Sequence, residues 1–266
     1  MREPIDYTEY TLKIPHLPAA LNGTVICHLS DLHSGKIADH SETIARRIRE
    51  RKPDCIFASG DLVDCAKDRA GNYFFSILDR LDSTLPVVCS PGNHERRIGG
   101  EGIPEKFVAR CRERNIPYLD NAAISLSLRG EELRVFGYLQ EFYTFNDKHE
   151  LRSRLRQDVT VEDVTRALGA CPNDVPTVLL AHDPMMFPAY AEWGAGLILS
   201  GHLHGGQVRL PLVGGVLSPA RRFFPKYDAG VFRRKNSTLL VSRGLSVSEF
   251  PRVFNRPEVP FITLVT

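Results

Sequence analysis

The side chains able to bind a cation or move a proton are unevenly spread along the 266 residues, and they gather where short apolar, β-branched runs end. Ser30-Asp31-Leu32-His33 follows one such run. A carboxylate and an imidazole two residues apart on extended backbone project to the same side, which suits chelation of one cation. Gly60-Asp61-Leu62-Val63-Asp64 follows a second run. The glycine lets the chain turn sharply, and the two oxygens of an aspartate placed there can bridge two cations. Pro91-Gly92-Asn93-His94-Glu95 follows a third run and puts an amide oxygen, an imidazole and a carboxylate in consecutive positions of one turn. His182 follows a later run, and Gly201-His202-Leu203-His204-Gly205-Gly206 the next. The same Asp-x-His spacing in Asp147-Lys148-His149 has no such run before it and reads as a solvated loop.

Taken singly, each block has a plainer reading. His182 could be an ordinary hydrogen-bonded histidine, Asp31 and Asp61 helix N-caps, and Asn93 a turn residue at positive φ. A shared metal site fails only if all of these hold together.

The elements that must position the blocks are legible from periodicity. Strands are expected over Thr24 to Leu29, Cys55 to Ser59, Val87 to Ser90, Leu133 to Gly137, Thr177 to Ala181, Leu197 to Ser200, Thr238 to Ser242 and Phe261 to Val265. Between them, Asp39 to Glu42 resembles a capping box opening a helix with Ile44 and Ile48 on one face, stopped by Pro53. Tyr73, Phe74, Ile77, Leu78 and Leu81 form a second helical stripe, and Thr160 to Asp163 caps a third with Val161, Val164 and Leu168. Strand and helix alternate early and strands dominate late, which favours a layered α/β protein with mixed sheets. No repeat or Gly/Ser linker divides the chain, so residues 1–266 are expected to form a single domain.

Composition excludes other classes. With 34 Lys and Arg against 32 Asp and Glu, the formal net charge of +2 is too small for a general nucleic-acid binder. The six cysteines stand singly, and Cys27, Cys55 and Cys89 fall inside apolar runs, as reduced thiols do in a cytoplasmic protein. Neither a signal-peptide pattern nor a run of about 18 apolar residues occurs, so a soluble protein is expected.

The five blocks together resemble the calcineurin-like metallophosphoesterases, whose pattern is D-x-H, G-D-x-x-D, G-N-H-[DE], a lone His and G-H-x-H, here in order between Asp31 and His204. Beyond the site, Ile14 to Gly23, Gly201 to Pro211, Phe224 to Gly230, Ser242 to Leu245 and Phe254 to Glu258 are similar to the YkuE/YaeI branch of that superfamily. The resemblance implies a four-layer α/β/β/α sandwich of two mixed sheets with outer helices. It implies one metal on Asp31, His33 and His204, a second on Asn93, His182 and His202, and Asp61 bridging them. It also implies His94 beside the substrate phosphate, with Asp64 and Glu95 orienting the ligands and His94. One stretch departs from the pattern: Gly137-Tyr138-Leu139-Gln140-Glu141 leads into a long polar, aromatic segment to Asp158.

Two divalent cations about 3.5 to 4 Å apart would lower the pKa of a bridging water and clamp phosphoryl oxygens during in-line displacement. Imidazole, carboxylate and amide donors without thiolate suit Mn, Fe or Zn, and Cys65, beside Asp64, is expected to be a packed thiol rather than a ligand. The expected activity is hydrolysis of a phosphoester by a metal-bridging hydroxide, a diester or pyrophosphate before a free monoester, with His94 assisting the leaving group. The enzymatic alternative is a UDP-2,3-diacylglucosamine pyrophosphatase. A non-catalytic scaffold is the other, against which the complete ligand set argues.

From Arg209 to Lys235 the chain carries seven Lys and Arg against Asp228 alone, interleaved with Phe223, Phe224, Tyr227 and Phe232. This run has two readings, a solvated loop with a few core aromatics or a wall of the site mouth. As a wall it would hold an amphiphilic phosphoester or rest peripherally on an anionic membrane. Arg243 is expected to add a phosphate contact.

Overall fold

The computed structural model describes residues 5–33, 39–64, 67–95, 105–140, 159–206, 208–210, 213–217, 223–246 and 252–266. Cys65, Arg221, Arg222, Asp147 to His149 and the rest of the segment 141–158 lie outside the described residues.

The apolar runs become strands in two sheets. The first has the order β1 (Asp6–Lys13), β13 (Glu258–Val265), β2 (Val25–Leu29), β3 (Cys55–Ser59) and β4 (Val87–Ser90). β2, β3 and β4 run parallel, while β13 is antiparallel to β2 and parallel to β1. The second sheet has the order β11 (Gly230–Arg234), β12 (Ser237–Val241), β8 (Leu197–Ser200), β7 (Thr177–Ala181), β6 (Glu131–Tyr138) and β5 (Ala122–Leu128). Its four middle strands are parallel and its two edges antiparallel. A two-stranded ribbon, β9 (Val208–Leu210) and β10 (Gly214–Leu217), stands apart.

Because successive side chains alternate across a strand, each central strand feeds two cores. In β3, Cys55 and Phe57 face the space between the sheets, whereas Ile56 and Ala58 face the helices α1 (Ser41–Arg51), α2 (Asn72–Leu78) and α3 (Glu105–Glu113). In β7, Val178 and Leu180 meet the first sheet across the inner core, while Leu179 and Ala181 pack on α4 (Val161–Leu168) and α5 (Phe187–Trp193). The layers are therefore helices, sheet, sheet, helices, as the resemblance implied. Continuous apolar runs, rather than alternating ones, are what two-sided burial requires.

The capping box of α4 forms as expected: Thr160 Oγ1 accepts from Asp163 N and Asp163 Oδ2 accepts from Thr160 N. That expected for α1 does not. The helix is entered through His40 without a side-chain cap, because Glu42 is drawn instead to Arg49 at 2.8 Å and Arg80 at 3.2 Å. Leu81 lies beyond the end of α2 but still packs on the same core. Among the described residues, no helix is long and apolar enough to cross a membrane.

Candidate metal centre

All parallel strands of one sheet end on the same side, so β2, β3 and β4 deliver Asp31, His33, Asp61, Asn93, His94 and Glu95 to one edge of the sandwich. In the facing sheet β7 and β8 deliver His182, His202 and His204. The two sets meet. Asp61 Oδ2 lies 3.1 Å from His182 Nε2, 3.9 Å from His94 Nε2 and 4.0 Å from His33 Nε2. Asp31 Oδ1 lies 3.7 Å from both His182 Nε2 and His204 Nε2, and the Nε2 atoms of His33 and His204 face each other at 3.3 Å. Three groupings could each hold a cation, Asp31 with His33 and His204, Asp61 with His182 and His202, and Asp61 with His33 and His94. Asp61 belongs to two of them.

The backbone is bent to achieve this. Asp31, Asp61, His202 and His204 all sit at positive φ, between 50° and 71°, a region non-glycine residues rarely occupy and one that concentrates at functional sites. Among the described residues, neither aspartate caps a helix. Asp31 accepts from Ser30 Oγ at 2.7 Å and from His202 N at 3.1 and 3.2 Å, and Asp61 Oδ1 accepts from His94 N at 2.7 Å. Asn93 is not at positive φ. At Gly60 (φ +92°) a Cβ would come within 2.6 Å of Gly92 N and 2.9 Å of His182 Nδ1, so only glycine lets the Asp61 and Asn93 turns touch.

Glu95 ties those two turns together. Fully buried, its carboxylate accepts from the backbone N–H of Leu62 (2.6 Å), Gly92 (2.7 Å), Asp61 (3.0 Å) and Val63 (3.2 Å). Burial and the charge of Asp61 push its pKa up, against the pull of those donors. Asp64 accepts from Lys67 N and pairs its backbone with Asp68, closing the turn after Asp61. His182 donates Nδ1–H to the carbonyl of Ser59 at 2.7 Å, which leaves Nε2 directed at the carboxylates.

Electrostatics favour a cation. Burial raises the pKa of Asp31 and Asp61, but the surrounding imidazoles outweigh it and hold both below the ordinary carboxylate range. Burial lowers His202 and His204, and burial together with His94 lowers His33 to about 4, which disfavours the charged form of these rings. His182 alone goes the other way. Burial disfavours its charge, yet Asp61 and Asp31 lift it to about 10. Asn93 Oδ1 is buried without a hydrogen-bond donor among the described residues, as expected of an oxygen meant for a metal. Carboxylate, imidazole and amide donors fit a divalent cation.

His94 sits at the open side of the group, its side chain 17% exposed and its ring stacked on His33 at 4.1 Å. Arg243, expected on a phosphate, instead donates Nε to Glu258 (3.0 Å) and Nη1 to Asp6 (3.1 Å). Its guanidinium braces β13 and β1. Tyr227 and Phe232 of the basic run pack in the outer core, Arg209 pairs with Asp228 at 2.8 Å, and Phe223 and Phe224 are exposed.

Several residues escaped the sequence reading. Asn255 Nδ2 donates to the carbonyls of His204 (2.7 Å) and Gly206 (3.0 Å), and Arg252 places Nη2 3.3 Å from His204 Nδ1. Both come from a segment about 50 residues away, without a local signal of contact. Five buried serines, Ser30, Ser59, Ser90, Ser200 and Ser242, close or follow β2, β3, β4, β8 and β12. That pattern was visible in the sequence. It marks where apolar strand gives way to polar turn.

Comparison with known proteins bears on this geometry. The sequence model of the family described as Calcineurin-like phosphoesterase matches residues 24–206. The chain is 25% identical to the uncharacterized metallophosphoesterase YkuE of Bacillus subtilis, over 98% of this chain and 85% of the relative. It is 28% identical to the phosphodiesterase YaeI of Escherichia coli, over 90% and 82%. It is 25% identical to the UDP-2,3-diacylglucosamine pyrophosphatase LpxG of Chlamydia muridarum, over 95% and 87%. Among solved structures, TT1561 of Thermus thermophilus shares the fold with a TM-score of 0.51 at 14% identity, covering 82% of this chain and 88% of that one.

Proposed function

The chain belongs to the calcineurin-like phosphoesterase family and is a metal-dependent phosphoester hydrolase, and from that premise we propose that it holds two divalent cations and cleaves a phosphodiester or a related ester such as a pyrophosphate. Asp31, His33 and His204 would hold one ion, Asn93, His182 and His202 the other, with Asp61 shared. Bound there, Mn, Fe or Zn supplies the Lewis-acid charge that lowers the pKa of water and neutralises phosphoryl oxygens. The observation that carries this reading is the convergence of side chains from five strand ends on Asp61, in groupings whose ligand atoms lie within 4.8 Å of one another.

The remaining work falls to the chain. Glu95 fixes the Asp61 and Asn93 turns to each other through four backbone hydrogen bonds, so the ligands do not have to reorganise around substrate. Asp64 would steady the same loop. His94, stacked and partly exposed, faces the side from which an ester would enter and donates a proton or positive charge to the leaving oxygen. Arg243 acts as a brace rather than a phosphate ligand.

The test measures metal content and hydrolysis of bis(p-nitrophenyl) phosphate. Asp61→Asn and His202→Ala are expected to lose both bound metal and turnover, whereas His94→Ala keeps metal and loses rate. Equal activity in all three variants contradicts the assignment.

The similarity to LpxG favours one narrower reading: a nucleotide-linked diacyl glucosamine pyrophosphate as the amphiphilic substrate. Cleavage of that lipid at a rate no better than the soluble diester argues against it. The two sheets share one inner core, which supports a single domain over 1–266. The cysteines among the described residues are all reduced, in keeping with a cytoplasmic enzyme that meets the membrane peripherally.

A further inference from the structure

Among the described residues, the exposed large apolar side chains are Leu210, Val213, Phe223, Phe224, Val253 and Phe254, all from one C-terminal stretch. The fold gathers them around the β9–β10 ribbon. Arg209 N donates to Val253 O, Val208 bridges Val253, Leu217 bridges Phe223, and Phe224 N donates to Val216 O. Phe254, Phe223 and Phe224 are 80%, 72% and 63% exposed. Rings so exposed project from the surface instead of lining a groove, which suits insertion between lipid headgroups better than reception of a partner's side chain.

Charge coincides with the patch. Residues 208–256 contain ten Lys and Arg and two Asp and Glu, while the rest of the chain contains 24 and 30. A chain of almost no net charge therefore concentrates its excess of cations in the stretch of sequence that carries the exposed aromatics. Lys226, two residues along from Phe224, is exposed, and Arg221 and Arg222 directly precede Phe223 in the sequence. Basic residues flanking projecting phenylalanines complement the negative surface potential of an anionic leaflet.

The patch is tied to the metal-ligand turn. Asn255, next to Phe254, holds the carbonyls of His204 and Gly206, and Arg209 donates to Gly205 O at 2.8 Å. We propose that this face docks on an anionic lipid bilayer and so presents the His202–His204 turn to phosphoesters at the membrane–water interface. The docking stands on the patch alone; what the docked enzyme does rests on the phosphoesterase reading.

Sedimentation with vesicles tests it. The full chain should pellet with vesicles containing about 30% phosphatidylglycerol, stay in solution with pure phosphatidylcholine, and release as salt rises. The variant Phe223→Ser/Phe224→Ser/Phe254→Ser should partition at least about tenfold less while hydrolysing bis(p-nitrophenyl) phosphate as the parent does. Phe254→Trp supplies an independent reading, since its fluorescence should shift to the blue with anionic vesicles. The proposal is overturned if the parent ignores anionic vesicles, if the triple variant binds them equally, or if the patch mediates a dimer instead, seen as a dimer that the triple variant abolishes without any vesicle binding. Vesicle binding by a parent that hydrolyses no phosphoester would uphold the docking and fault the phosphoesterase reading.

Discussion

The candidate metal cluster and the C-terminal rim touch at one turn and are built on opposite terms. Asp31, Asp61, Asn93 and Glu95 are buried, acidic or polar, and held from several directions; four of the cluster residues accept positive φ because neighbours over-determine them. Phe223, Phe224 and Phe254 are exposed, flanked by cations, and supported by a three- and a four-residue strand. The contrast follows from the work each does. Ligands must keep one geometry while charge changes around them, so they gain from preorganised, water-poor surroundings. A surface that selects where the enzyme works must stay accessible and tolerates looser support.

The contrast can be broken most severely at Glu95. Glu95→Gln keeps the volume but turns an amide N–H₂ toward two buried backbone donors, which should cost on the order of 3 kcal/mol in denaturant unfolding and about 10 to 100-fold in turnover. Unchanged stability would mean that the two turns do not depend on it. Next comes His28, fully buried in β2 against Ser59 Oγ at 2.7 Å. Burial lowers its pKa from 6.5 to about 4, so between those values the unfolded chain takes up a proton that the folded protein refuses. Stability present above pH 6.5 is therefore lost on acidification toward pH 4, by up to about 3 kcal/mol. His28→Gln should flatten this dependence over that window; an identical pH profile would remove His28 as its source.

Smaller effects sharpen the boundary between the regions. Asn255→Ala strips two carbonyls of their donor at the seam, with an expected loss of about 1 to 2 kcal/mol and about tenfold in metal affinity, read by unfolding and by metal titration. On the rim side, Phe254→Ser should change stability by less than about 0.5 kcal/mol and leave soluble diester hydrolysis untouched. A large loss there would show that the rim supports the fold.

Much of this was legible in advance because the signals are local. The apolar runs of β2, β3, β4, β7 and β8 and the polar residues ending them lie side by side in the chain, as does the Thr160 to Asp163 box. The antiparallel edge strands β5 and β11 and the short helix α5 were not read, because their mixed exposure or brevity blurs the period. The α1 cap failed for a related reason: a sequence pattern cannot weigh Glu42's local role against two arginines, one of which, Arg80, comes from beyond the next strand.

The amino-acid sequence by itself determined which side chains stand at the strand ends and what cations they suit, since residue type and spacing over a few positions suffice for that. Only the tertiary structure decided which ends meet. Parallel strands from two facing sheets, joined through an inner core, bring Asp61 within reach of His182, draw Arg243 to Glu258 and Asp6, and lay Asn255 across the His204 turn. Those partners are separated by 15 to more than 200 residues, and their choice rests on sheet order and register, which no short stretch of chain encodes.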